Sequence, residues 1–317
     1  MIRILANDGI DEAGKAKLEA AGYQVDTTKV PQAELGARIA DYDGLCVRSA
    51  TQVDRDIIDR GRSGKLRAIG RGGVGLDNID IDYAAERGVA VFNTPGASSR
   101  AVAELAFAHI FALARYLYRS NAELPAGSDF KKLKKDYAAG IQLQGLTLGV
   151  VGLGRIGREV ARIGLGLGMR VLGSDSSQRH VDLDLQIEGL GTPPVVRLNS
   201  MPLEDLIEKV DVLTLHIPAQ GGDALLGADL LRRMKPTALV INTARGGLID
   251  EAALLEALKE GRIGGAGLDV FDNEPHPLPE LLQHPRTSVS PHIGAATDEA
   301  QRLIGLELAD QLIDVLG

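Results

Sequence analysis

The sequence predicts an α/β protein built from two doubly wound parallel-sheet domains, one inserted in the other. Three observations carry this expectation. Short apolar runs alternate with amphipathic stretches along nearly the whole chain, the pattern of a parallel sheet with helices on its faces. The 317 residues exceed one ordinary core and fit two domains. Finally, residues 146–175 run strand, glycine-rich turn, helix, strand and acid, the order of a dinucleotide-binding unit.

The N-terminal elements come in regular succession. Residues 2–6 read as a strand, 11–21 as a helix, 23–27 as a strand and 32–40 as a helix. A strand at 44–47, a helix at 55–60, a strand at 66–70, a helix at 80–87 and a strand at 89–92 complete a small doubly wound domain. Within it, GRGGVG at 70–75 also matches G-x-G-x-x-G after a strand. The acid is missing there, because the position equivalent to Asp175 holds Asn93, and the next helix starts late. An amide grips two ribose hydroxyls poorly, so this turn is not the expected dinucleotide site. Its backbone N–H groups could still bind an anion.

Asn93, Thr94, Pro95 and Gly96 form a turn cluster that marks the first crossing between domains. A long helix is expected over 98–118. Its stretch 101–117 is apolar but carries Glu104, His109 and Arg115, which suits a helix buried by another domain or subunit better than a membrane span. Residues 127–135 read as a loop, with Lys131, Lys132, Lys134 and Lys135 as a solvated face.

The dinucleotide fingerprint follows, and each part has a physical job. Residues 146–151 form the first strand. Gly152 permits the tight turn, Gly154 lets the backbone approach a pyrophosphate, and Gly157 lets helix and strand pack closely. The helix, patterned by Val160, Ile163 and Leu167, offers free N–H groups and a positive dipole end to phosphates. A strand at 169–173 then delivers Asp175, which can accept from the adenosine ribose hydroxyls and repel a 2′-phosphate. NAD is therefore favoured over NADP, although Ser176, Ser177 and Arg179 soften the preference. Further strands at 211–216, 238–242 and 266–269, with helices at 205–209, 228–234 and 251–260, complete a Rossmann-like domain. Residues 176–199, broken by Thr192, Pro193 and Pro194, read as loop with at most a short element.

Composition excludes several classes. A net charge of −8 argues against nucleic acid or an anionic membrane as partner. The single cysteine, Cys46, excludes an internal disulfide and fits a reducing, cytoplasmic compartment. No leader pattern precedes the first strand, so secretion is not expected.

Three late turns follow apolar strands, where open α/β sheets bind ligands. INTARGG carries Arg245, GLDVFDNEP carries Asp269 and Glu274, and SVSPHIGAAT carries His292. An arginine can clamp a carboxylate through two parallel hydrogen bonds. A histidine held by a glutamate becomes an oriented acid/base. Alone, a loop arginine is more often a surface residue and a histidine before a helix a cap. Together with the fingerprint they form a kit for a 2-hydroxy acid.

GLGRIG at 152–157, NTARGGLID at 242–250, GLDVFDNEP at 267–275 and SPHIGAAT at 290–297, with VRSATQV at 47–53 and GRGGVGLDNIDI at 70–81, resemble the D-isomer-specific 2-hydroxyacid dehydrogenase family over nearly the whole chain. The resemblance implies a discontinuous substrate-binding domain, 1–95 plus 290–317, and an NAD-binding domain, 96–289. It implies Arg245 as the substrate-binding, carbonyl-polarising arginine, Glu274 as the partner acid and His292 as the general acid/base. It places Arg155 and Ile156 at the pyrophosphate turn, Ile217 and Thr243 along the cofactor, and Asp269 at the nicotinamide carboxamide. Arg48, Ser49, Gly73 and Val74 match substrate-holding loops, with Arg71 a further candidate for a phosphate. The early motifs look most like members acting on a phosphorylated 2-hydroxy acid, 3-phospho-D-glycerate.

The resemblance also implies a homodimer or dimer of dimers in which the 98–118 helix takes part. Departures lie at 176–199 and in AQGGDALL after Pro218, where the family more often has a threonine-rich turn. With the chain ending at Gly317, an added regulatory domain is not expected. Reduction of another small 2-keto acid is the rival reading, and a non-catalytic NAD-sensing interaction protein is the rival of another class.

Overall fold

The computed structural model describes residues 1–186, 189–218 and 221–317. It divides into two compact units, Met1–Ala101 with Ala295–Gly317, and Val102–Gly294. The junctions fall a few residues beyond the expected 95 and 289. In the second case the reason is local, since residues 293 and 294 are tied to Asp269 of the second unit.

The first unit holds β1 (Arg3–Ala6), β2 (Gln24–Asp26), β3 (Gly44–Val47), β4 (Ala68–Arg71) and β5 (Ala90–Asn93), in the order β2-β1-β3-β4-β5. All pairs are parallel. Three of its helices begin where a carboxylate can take up orphan N–H groups. Asp11, Asp54 and Asp80 accept from Ala13, Ile57 and Tyr83 respectively. One sheet face buries Leu5, Leu35, Leu45, Ile58 and Ile69, and the other buries Ile4, Leu18, Cys46, Ala309 and Leu312. Each fully buried aliphatic side chain contributes roughly 1.5–3 kcal/mol. The C-terminal helix Asp298–Leu316 belongs to this unit and crosses helix Glu12–Ala20 so closely that a Cβ on Gly14 would overlap the Gly305 carbonyl.

The second unit holds β6 (Thr147–Val151), β7 (Arg170–Ser174), β8 (His180–Asp184), β9 (Val195–Asn199), β10 (Val212–Leu215), β11 (Leu239–Asn242), β12 (Gly265–Leu268) and β13 (Thr287–Val289). Six of them form a parallel sheet, β13-β12-β11-β10-β6-β7. Every residue of β6, β10, β11 and β12 is buried, as expected for strands covered on both faces. The chain turns one way from β6 to β7 and the other way to β10, so the ends of β6 and β10 flank the switch point where such sheets bind ligands.

Three expectations need correction. The long helix is Ser99–Ala114, followed after a left-handed Tyr116 (φ 55°) by a second helix, Leu117–Glu123, bent from it by 63°. Accordingly, no single helix among the described residues is long and apolar enough to cross a membrane. The lysine segment is not loop. Asp129 caps a helix, Phe130–Asp136, accepting from the Lys131 and Lys132 N–H groups, and the lysines lie on its exposed side.

The region 176–199 contains β8 and β9, paired antiparallel from His180↔Asn199 to Asp184↔Val195. Val181, Leu183 and Leu198 face the core shared with Leu153 and Val160, while Arg197 pairs with Asp182 outside at 2.7 Å. This is the period-two alternation of a half-buried strand, and Pro194 lies beside the turn, accepting from Leu185 N. Ile187, Glu188, Ala219 and Gln220, part of the two noted departures, lie outside the described residues.

Candidate active site

At the end of β6, Gly152 has φ 91°, and a Cβ there would come within 2.5 Å of the His216 carbonyl. A Cβ on Gly157 would overlap the Gly152 carbonyl. Gly154 is the opposite case: it is exposed, has nothing within 4 Å of a Cβ, and begins helix Arg155–Gly166 without a side-chain cap. An uncapped helix N-terminus with open space before it, starting at Arg155 and Ile156, fits a pyrophosphate. The donor set is therefore suited to the dinucleotide the fingerprint implies.

Asp175 follows β7. Its Oδ1 accepts from Ser177 N (2.8 Å), Ser177 Oγ (2.7 Å) and Gln178 N (2.9 Å), while Oδ2 accepts from Leu153 N at 2.7 Å. Burial works against its charge, but these hydrogen bonds outweigh burial and hold its pKa below the ordinary carboxylate value. Oδ2 is the oxygen with acceptor capacity left for a ribose hydroxyl. Arg158 supports the same turn, donating to Leu153 O and Gln178 Oε1. Ile217 follows β10, its Cγ2 2.7 Å from where a Gly152 Cβ would stand. Thr243, buried after β11, has a hydroxyl without a hydrogen-bond partner among the described residues.

Beyond β12 the side chains converge. His292 Nδ1 lies 2.8 Å from Glu274 Oε2, with both side chains partly exposed. An ionised Glu274 can only accept, so Nδ1 carries the proton and Nε2 is left for proton exchange. The other Glu274 oxygen accepts from Phe271 N at 3.1 Å, which aims the carboxylate. His292 has φ 54°, a left-handed conformation that disfavours side chains other than glycine. The Asp269 carbonyl stabilises it by accepting His292 N at 2.8 Å. The Asp269 carboxylate, 1% exposed, accepts from Ile293 N, Gly294 N and Ser290 Oγ.

Arg245 sits in the turn after β11, where Asn242 Nδ2 donates to its carbonyl and its own Nη1 donates to Ala244 O. That turn is tied to the Glu274 turn. Gly247 N donates to Asp272 Oδ1 (2.5 Å), and Asp272 N donates to Glu251 Oε1 (2.9 Å). Burial raises the Glu251 pKa, against the hydrogen bond from Asp272 N, which lowers it, and with a smaller push upward from the Asp272 charge. Sequence reading missed Glu251, Asp272, Ser290 and the buried His109 that contacts Ser290. Asp272 lies inside a motif already singled out, but no spacing betrays that Glu251 or His109 would meet it or Ser290.

Arg48, Ser49, Arg71, Gly73 and Val74 belong to the first unit. Asp8 holds the loop after β3 through the N–H groups of Arg48 and Thr51. Arg48 lines a cavity of about 240 Å³ with Asp8, Gly72, Gln301 and Ile304. Ser49 and Val74 are exposed. The Arg71 guanidinium folds back over Gly73, occupying the space a Cβ would need, and donates to Gly72 O. Gly72 N and Gly73 N donate to Val47 O and Thr94 Oγ1, which fixes the shape of this turn.

Residues 107–294 match the family model described as the D-isomer specific 2-hydroxyacid dehydrogenase, NAD binding domain. The chain is 41% identical over its whole length to the D-3-phosphoglycerate dehydrogenase of Methanocaldococcus jannaschii, but spans only 58% of that relative. It is 39% identical to the hydroxypyruvate reductase of Thermotoga maritima, covering 99% of this chain and 98% of the relative. Among solved structures, the TT0316 protein of Thermus thermophilus superposes with a TM-score of 0.84 at 33% identity, covering 99% of this chain and 97% of that one.

Proposed function

This chain belongs to the D-isomer specific 2-hydroxyacid dehydrogenase family, and we propose that it oxidises 3-phospho-D-glycerate to 3-phosphohydroxypyruvate with NAD. The observation that carries the reading is the His292–Glu274 pair, an oriented acid/base beside the turns of Asp269 and Arg245. NAD, when bound, supplies the acceptor for the hydride leaving C2. His292 Nε2 takes the C2 hydroxyl proton as the C2–O bond becomes a carbonyl, and Glu274 stabilises the imidazolium that results. Arg245 grips the carboxylate and stabilises charge on the C2 oxygen.

Gly152, Gly154, Arg155, Ile156 and Gly157 would hold the pyrophosphate, Asp175 the ribose, and Ile217, Thr243 and Asp269 the nicotinamide end. Asp269 Oδ1 already takes two donors and Oδ2 one, so Oδ2 is the oxygen for the carboxamide. Arg48, Ser49, Arg71, Gly73 and Val74 would hold the acid and its phosphate. The M. jannaschii relative supports the phosphorylated substrate.

The second reading, reduction of hydroxypyruvate or a similar 2-keto acid, is favoured by the T. maritima relative, whose length this chain nearly matches. A panel of phosphorylated and unphosphorylated 2-hydroxy acids, followed by NADH absorbance, decides between them. Preference for 3-phospho-D-glycerate is expected, and equal efficiency on unphosphorylated acids removes that assignment. We also expect a homodimer or dimer of dimers, measured by light scattering after size exclusion.

A further inference from the structure

His109 lies in helix Ser99–Ala114 and is only 4% exposed. Burying an imidazole in an apolar helix costs desolvation unless both nitrogens find partners. They do. Nδ1 is 2.8 Å from Ser288 Oγ and Nε2 is 2.9 Å from Ser290 Oγ, whose hydroxyl lies 2.5 Å from Asp269 Oδ1.

The protons in this chain can be placed. An ionised Asp269 accepts only, so Ser290 gives it the hydroxyl proton. The Ser290 oxygen then accepts from His109 Nε2–H. Nδ1 is left bare and accepts from the Ser288 hydroxyl. Burial lowers the His109 pKa and nearby Asp269 opposes the shift, so a neutral ring suits the site. Room for it comes from Gly267 in β12, where a Cβ would stand 2.7 Å from His109 Cβ.

What lies at the end of this chain is the left-handed turn of His292. Asp269 holds that turn three ways, through its carbonyl on His292 N and its carboxylate on Ile293 N and Gly294 N. A carboxylate free to rotate would release the last two. Ser290 is a side chain that donates to this carboxylate, and His109 in turn contacts the Ser290 hydroxyl.

We propose that His109, as its Nε2–H tautomer, is a positioning residue that aims Ser290 at Asp269 and so holds the turn presenting His292. The inference rests on the acid/base reading of His292 given above. It concerns His109 and the two serines, to which that reading gives no contact with substrate or cofactor.

The full chain labelled with 15N-histidine tests it, the ring signals being assigned by their loss in His109→Phe and His292→Ala. In the parental protein His109 is expected to show a protonated Nε2 and a bare Nδ1. In His109→Phe and Ser290→Ala the His292 ring signals should move. Their kcat should fall about tenfold to a hundredfold, with KM for the acid within about twofold. His109→Gln, whose amide N–H can reach Ser290, should restore most of both. A protonated Nδ1, unmoved His292 signals in the two variants, or a Gln variant no better than Phe overturns the proposal. Should His109→Phe not fold, Ser290→Ala carries the decision. A parental protein that turns over no 2-hydroxy acid would remove the proposed reaction, while the ring signals still settle the role of His109.

Discussion

Glu274 Oε2 and His292 Nδ1 stand 2.8 Å apart, and they come from different turns, one after β12 and one after β13. The pair forms because each turn is fixed by its own backbone contacts. Phe271 N aims the carboxylate, and the Asp269 carbonyl holds the His292 backbone.

That division of labour predicts unequal losses. His292→Ala removes the proton acceptor and should lower kcat by about 10² to 10⁴. Glu274→Gln keeps a hydrogen-bond partner but not the charge, so it should cost less and weaken the proton-accepting power of Nε2. Steady-state kinetics of both variants test this, and parental turnover by His292→Ala would end the assignment.

Arg245 calls for a shape as well as a charge. A guanidinium binds a carboxylate through two parallel N–H groups that an ammonium cannot reproduce. Arg245→Lys should therefore lose activity almost as fully as Arg245→Ala, on the order of 3 kcal/mol of transition-state stabilisation. Recovery of most of kcat/KM by the lysine variant would leave only a general charge effect.

Much of this could be read from the sequence because it depends on local chemistry. Gly152, Gly154 and Gly157 announce their turn by spacing, and Asp175 announces itself by ending the next strand. The parallel strands were legible as apolar runs bounded by turns. What escaped depended on distance in the chain. His109 meets Ser290 across 181 residues, and Asp272 meets Glu251 across 21, pairings that no periodicity encodes. The β8–β9 hairpin escaped for a different reason. Its strands are only five residues long, too short for a clear pattern beside the Pro193–Pro194 break. The Arg71 side chain lies over its own turn in the space that Gly73 leaves, a placement that spacing does not reveal.

The glycines of the fingerprint helix should separate cleanly. Gly157→Ala forces a Cβ into the Gly152 carbonyl and within 3.1 Å of Val150 Cγ1, which should cost about 1–3 kcal/mol and weaken NAD binding. Gly166, in the last turn of the same helix, has nothing within 4 Å of a Cβ and no positive φ. Gly166→Ala should stabilise by about 0.5–1 kcal/mol. Thermal unfolding measures both, and calorimetry follows NAD, since the chain has no tryptophan to report binding.

His216 predicts an acid sensitivity. Burial pushes its pKa down from the ordinary 6.5 to about 3, and Nδ1 has no hydrogen-bond partner among the described residues. The folded state then binds fewer protons than the unfolded one between these values, so stability rises with pH there. The contribution is complete above about pH 6.5 and declines toward pH 3, by up to about 1.4 kcal/mol per unit. Denaturant unfolding at stepped pH should show a shallower fall from pH 6 to 4 in His216→Gln than in the parental protein. Equal slopes would place the acid sensitivity elsewhere.

Asp175 does two jobs, and its variants should distinguish them. Three donors from Ser177 and Gln178 occupy Oδ1, which organises the turn, while Oδ2 takes only Leu153 N and keeps capacity for a ribose hydroxyl. Asp175→Asn retains one accepting oxygen and removes the charge. Asp175→Ala removes both and loosens the turn. Losing a charged acceptor costs about 1.5–3 kcal/mol, so kcat/KM with NAD should fall about tenfold to a hundredfold in either variant. With NADP the two should part. Loss of the negative charge should help the 2′-phosphate in Asp175→Asn, with Arg158 and Arg179 near the same turn. Asp175→Ala should gain less, because the turn that would receive the phosphate no longer holds its shape. The ratio of kcat/KM for the two cofactors is the measurement. An unchanged ratio in Asp175→Asn would mean that this carboxylate shapes the turn without selecting the cofactor.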